Sequence, residues 1–105
     1  MEIILTAKVK AKLAHIADVE KQLRSLAKLS QEEEGCLLYA LHQDVNDPAT
    51  FLLIERWASK EALDYHYSLE HFVKYSKEIP SFIVSPPEVT FLRSLNERGS
   101  EKGSI

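Results

Sequence analysis

"FLLIERWASKEALDYHY", Phe51 to Tyr67, changes its period partway along. Over the first part the side chains alternate, so Phe51, Leu53, Glu55 and Trp57 fall on one face of an extended chain. From Ser59 onward the spacing becomes helical. Ser59 stands where an N-cap is wanted, Leu63 and His66 share the apolar stripe with Ala62, and Lys60, Glu61 and Asp64 point elsewhere. A strand therefore hands over directly to a helix. It sends a carboxylate and the only tryptophan of the chain to one side, and the helix that follows carries a histidine on its apolar face.

Upstream, Cys36 to Gln43 is a second apolar run, joined to Thr50–Trp57 by "DVNDPA", whose Asn, Asp and Pro form turns. The two runs read as a hairpin. Before it, Ile16, Val19, Leu23, Leu26 and Ala27 recur at steps of three and four between His15 and Leu29, which is an amphipathic helix. The acidic run Gln31–Glu34 and then Gly35 end that pattern, and the glycine suits a left-handed exit from the helix. At the front, Ile3 to Lys12 alternates as a strand. Downstream, Ser68 is placed to cap a further helix running toward Glu78 before Pro80, and "SPPE" stops helical structure. Val89 to Leu95 alternates again as a fourth strand. The final residues, "NERGSEKGSI", have little to bury and read as a flexible polar tail over 96–105, beyond one domain over 1–95.

The order strand, helix, strand, strand, helix, strand predicts an α+β fold, the ferredoxin-like βαββαβ sandwich. Right-handed crossovers put both helical segments on one side of the sheet. The opposite side is still apolar, since strand two offers Leu38 and Ala40 against Tyr39 and Leu41, and strand three offers Leu52 and Ile54 against Phe51 and Leu53. A monomer does not leave a patch of that size in water, so the sequence predicts a homodimer packed through sheet faces, a dimeric α/β barrel enclosing an apolar cavity.

The composition, 45% hydrophobic and 28% charged with a net charge of −3, is that of a soluble globular chain and offers no basic field for nucleic acid. No apolar run approaches the roughly 20 residues of a membrane span. The first residues do not have the pattern of a signal peptide, so a cytoplasmic location is expected. Cys36 is the only cysteine, and its apolar neighbours predict a buried, unreactive thiol. With three glycines there is no nucleotide-binding loop. His66 and His71 are five apart across an expected helix break, unlike the four-residue spacing of two zinc ligands on one helix, so no metal site is expected. Glu55, a carboxylate in an apolar strand, requires a donor or a polar cavity. His66 is either a general base, titrating near neutral pH, or a core histidine satisfied by a carboxylate such as Glu55. His42 follows Leu38 and Ala40 near a strand end, where it either reaches the same cavity or lies exposed.

The segments "EEEGCLLYALHQD", "FLLIERWASKEALDYH" and "SLEHF" together resemble the antibiotic biosynthesis monooxygenase family, especially its small bacterial members of quinol monooxygenase type, over about Ile3 to Leu95. That resemblance implies a ferredoxin-like subunit dimerising through its sheets. It also implies oxygenation of a quinol or polycyclic phenol by dioxygen without a cofactor. On this pattern His66 would be the base and Glu55 an orienting or proton-relaying partner, with Trp57, His42, Phe51, Leu53 and Phe72 contacting a small aromatic substrate. The related haem-degrading branch uses a first-strand asparagine that "IILTAKVKAK" lacks, which argues against haem. Another branch acts on phosphorylated autoinducer-2-type sugars, and Lys8, Lys10 and His42 are compatible with such an anion. A dimeric metabolite-binding domain without turnover is the third reading.

Overall fold

The computed structural model describes residues 1–105. Four strands, β1 (Ile3–Lys10), β2 (Cys36–Gln43), β3 (Thr50–Trp57) and β4 (Glu88–Leu92), form one antiparallel sheet in the order β2-β3-β1-β4. Helix α1 (Ile16–Gln31) connects β1 to β2, and α2 (Lys60–Ser68) and α3 (Glu70–Glu78) connect β3 to β4. This is the ferredoxin-like arrangement that the element order predicts. β1 stops at Lys10, short of the expected Lys12, because Ala11 leaves the β3 ladder for an isolated bridge to Ile83. β4 ends at Leu92 instead of Leu95. Its partner there is Ile4, and β1 has almost no chain left to pair with later residues.

Directly opposed residues of antiparallel strands share a face. Leu5, Ala7 and Val9 lie opposite Glu55, Leu53 and Phe51, and Tyr39 lies opposite Glu55 on the other flank. All of these are buried beneath Val19, Leu23, Leu26 and Ala27 of α1. The other face carries Ile4, Thr6, Leu38, Ala40, Leu52 and Ile54, which the chain by itself leaves half-buried, and the exposed Leu92. The two-sided apolar pattern of β2 and β3 thus covers one face with helices and leaves the other without cover from this chain.

Two local expectations are corrected. Gly35 does not adopt a left-handed conformation; the only glycine with positive φ is Gly99. What requires glycine at 35 is space, because a Cβ there would lie 2.5 Å from the Cβ of Ala62 on α2. Ser68 does not cap α3 either. It is the last residue of α2, and its hydroxyl donates to the Tyr65 carbonyl (2.6 Å), while the extended backbone of Leu69 makes the break between the helices. In the tail, the Asn96 amide donates to the Ser100 carbonyl (2.6 Å) and to Ser104 Oγ (2.8 Å) around a single 3-10 turn, Glu101–Gly103. Residues 97–105 are all exposed. No helix is long and apolar enough to cross a membrane.

Candidate active site

β3 and α2 are joined almost without a loop. Ser59 makes this possible, since its Oγ accepts from the Ala62 amide (3.1 Å) and satisfies one of the free donors at the start of the helix. α2 then turns Leu63 and His66 inward, and His66 ends only 1% exposed. Its ring lies 4.4 Å from that of Trp57 and 5.0 Å from that of Phe72, measured between centroids. The Trp57 indole N–H donates to Glu55 Oε1 (3.0 Å), which explains why the tryptophan stands beside a carboxylate: each satisfies the other in the core.

The carboxylate bound to His66 is not Glu55. His66 Nδ1 donates to Glu33 Oε2 (2.7 Å), and His71 Nε2 donates to the same oxygen at the same distance. Glu33 sits in the turn between α1 and β2, where its backbone is held by Ser30 and Cys36 (3.1 Å each). The break at Leu69 brings His71 back toward His66, so the spacing argument that separated the two histidines fails in three dimensions. Glu33, His66 and His71 place their ligand-capable atoms within 4.8 Å of one another. Two ring nitrogens at 2.7 Å from one carboxylate oxygen have hydrogen-bond geometry, whereas a metal would need both nitrogens unprotonated and aimed at a common point.

Glu55 and His66 line a chamber of about 70 Å³, walled by Leu53, Tyr39, Phe72, Tyr75 and Val89 among others. Tyr67, Phe72, Tyr75, Pro87 and Val89 are shared with a groove of about 590 Å³ that continues over Ile79, Ile83 and Pro86 between α3 and the approach to β4. Glu55 Oε2 and His66 Nε2 make no hydrogen bond within the protein. Burial pushes the Glu55 carboxyl up to about 7, against the Trp57 hydrogen bond and with further help from the Glu33 charge. Burial pushes His66 down, and the bond and charge of Glu33 oppose that. Burial first, then the charge of Glu55, pushes the Tyr75 hydroxyl up to about 12, so it is a neutral donor. The half-buried Cys36 thiol is pushed up to about 11, mainly by burial, and is protonated and inert.

Of the residues read from the sequence, Glu55, His66, Leu53 and Phe72 meet in this chamber. Trp57 is fully buried behind His66 and Glu55 and is not part of the wall. Phe51 lies at the far end of β3, beside a shallow depression with Ala27, Leu41 and His42. His42 does not belong to the chamber. It does share a face with Leu38 and Ala40, but that is the uncovered face, where it opposes Leu52 and is exposed. A register shift between Cys36 and Leu38 puts Cys36 on the other face from them. Sequence reasoning missed Glu33, His71, Tyr67 and Tyr75.

A four-stranded antiparallel sheet with helices on one face, and a carboxyl and an imidazole lining a chamber beside an aromatic groove, define the class as ferredoxin-like α+β proteins with an internal cavity. The comparisons narrow that class. The model of the family described as "Antibiotic biosynthesis monooxygenase" matches residues 2–78, and the chain belongs to that family. It is 28% identical over 87 residues to "Putative monooxygenase YcnE" of Bacillus subtilis strain 168, covering 83% of this chain and 92% of that one. It is also 32% identical over 60 residues to an uncharacterized Synechocystis protein, sll1783, a match spanning 57% of this chain and only 41% of that protein. Among solved structures, PA3566 from Pseudomonas aeruginosa superposes with a TM-score of 0.85 at 34% identity, covering 90% of this chain and 94% of that one. Rv0793 from Mycobacterium tuberculosis shares the fold with a TM-score of 0.86 at 23% identity, covering 93% and 99% of the two chains.

Proposed function

We propose that the protein is a monooxygenase that oxidises a quinol or polycyclic phenol with dioxygen, using no cofactor, and that it works as a homodimer. The observation that carries this reading is that His66 and Glu55 line one small chamber that shares its aromatic walls with an apolar groove. A chamber of about 70 Å³ has room for a hydroxyl edge or a diatomic molecule but not for a fused ring, and the adjoining 590 Å³ groove is of ligand size. The ring would lie among Tyr67, Phe72 and Tyr75 and present its hydroxyl to His66.

His66 takes the phenolic proton. The electron-rich phenolate then passes an electron to dioxygen, and recombination forms a carbon–oxygen bond to a ring-bound peroxide. Cleavage of the peroxide leaves one oxygen atom on the ring as a carbonyl, with loss of the ring proton, and the other atom departs as water. For a quinol the balance is quinol plus dioxygen giving hydroxyquinone plus water. Glu55, pushed up to about 7 and so partly protonated at neutral pH, supplies the proton for the departing oxygen. The apolar walls keep bulk water from the peroxide. The phosphosugar reading drew on Lys8, Lys10 and His42. All three are exposed and none lines the chamber, and Lys10 pairs with Asp47 (3.5 Å).

Oxygen uptake with hydroquinones and hydroxylated naphthalenes, followed with ¹⁸O₂, tests the proposal. One labelled atom per product and one dioxygen per quinol are expected. His66→Gln should lower the rate by at least about 100-fold. A full rate in that variant removes the base assignment, and inertness toward the whole panel removes the oxygenase reading.

A further inference from the structure

We propose that Glu33 is a positioning residue, which holds the His66 imidazole in the tautomer whose bare Nε2 faces the chamber, and that His71 shares and tempers its charge. The inference rests on the reading of His66 as the base and adds the groups that make it one. A carboxylate oxygen accepts hydrogen bonds and cannot donate them, so the two ring nitrogens 2.7 Å from Glu33 Oε2 must both carry protons. A neutral imidazole has one such proton. With it on Nδ1, the lone pair of His66 is on Nε2, the nitrogen without a partner in the protein. Trp57 and Phe72 fix the plane of the ring, and Glu33 decides which edge is basic.

The charge follows the same geometry. The side chain of Glu33 is 6% exposed and its Oε1 is buried without any partner, so its negative charge is answered only by the two imidazoles. When His66 takes a proton on Nε2, the imidazolium forms against that carboxylate. The other titratable groups around the ring are His71 from α3, Tyr67 from α2, Tyr39 from β2 and, through Trp57, Glu55 from β3. His71, 18% exposed, is the member of the triad nearest to solvent, and any positive charge on it disfavours a second one on His66.

Nitrogen-15 NMR of the labelled full-length chain tests this without substrate. Expected for the wild type is His66 with its proton on Nδ1 and an unprotonated Nε2 at neutral pH. Glu33→Gln should depress the apparent His66 pKa, because the charge favouring imidazolium is gone, and Glu33→Ala should release the tautomer. His71→Ala should raise the His66 pKa while keeping the Nδ1–H form. These opposite signs separate an electrostatic role from general loosening of the core. A wild-type His66 protonated on Nε2, or a Glu33→Gln protein with unchanged tautomer and pKa, overturns the proposal. If the Glu33 variants do not fold, the wild-type tautomer and the sign of the His71→Ala shift still decide it. Failure to oxidise quinols would overturn the oxygenase reading alone, because this measurement needs no turnover.

Discussion

Glu55 couples the site to folding. Its carboxyl moves from an ordinary 4.5 to about 7 on burial, so between those values the folded chain holds a proton that the unfolded chain has lost. Stability therefore falls as pH rises through this window, by about 3 kcal/mol at about 1.4 kcal/mol per pH unit. Glu55→Gln keeps an oxygen for the Trp57 indole and removes the titration. Relative to wild type, its unfolding free energy in urea should gain about 3 kcal/mol between pH 4.5 and 8 and show little difference in acid. His66 acts in the other direction. A buried histidine pushed below 6.5 must take up a proton on unfolding in acid, so its contribution is lost as pH falls below 6.5. The sequence made Glu55, Trp57 and His66 legible because period two and the i−4 spacing fix their directions locally. It could not reveal Glu33, whose partners lie 33 and 38 residues away and whose acidic run reads only as the end of a helix.

At the scale of elements, the joint between the α1–β2 turn and α2 is the sensitive place. Gly35 and Ala62 meet so closely that a methyl at 35 must push the helix away, and the same turn carries Glu33 toward His66. The Gly35 carbonyl also accepts from the Ala58 amide (2.9 Å), which ties the turn to the end of β3. Gly35→Ala should cost about 2 kcal/mol, the range for overpacking, and Ala62→Gly in the same chain should recover part of it despite its own helix penalty of about 1 kcal/mol. A double-mutant cycle by urea denaturation checks this; strict additivity would mean the two residues do not oppose each other. The strands and helices themselves were legible from periodicity, with ends shifting by two or three residues. The role of Gly35 was not, because a backbone that leaves a helix and a backbone that admits a neighbour use the same residue type. The turn at Leu69 was anticipated as a bend, but the direction it gives His71 depends on packing that no local pattern encodes.

For the whole molecule, the uncovered face of the sheet sets the expectation. Leu38, Ala40, Leu52 and Ile54 form an apolar strip there, and β4 adds Leu92 at 40% exposure. A second copy of the chain is the occupant we propose for this surface, since a two-fold axis supplies a matching patch. Sedimentation at micromolar concentration should give a dimer for the wild type. Ile54→Asp, which puts a charge in the middle of the strip without touching the helical core, should shift the equilibrium to a folded monomer. A wild-type monomer at that concentration would rule the pairing out. The antiparallel sheet with helices on one side was readable from element order alone, whereas the continuity of the chamber with its groove arises only when α3 and the segment before β4 converge on Phe72 and Val89.

Because Trp57 is the only indole in the chain and its ring lies 4.4 Å from that of His66, the molecule contains its own optical reporter. A protonated imidazole quenches indole fluorescence, so emission excited near 295 nm should dim as the solution is acidified through the His66 titration. In His66→Gln the part of the change that follows the His66 titration should be gone, leaving only what the Glu55 carboxyl bonded to the indole contributes. Any compound that enters far enough to trade its proton with that ring would announce itself as a change in light, before its chemistry is known.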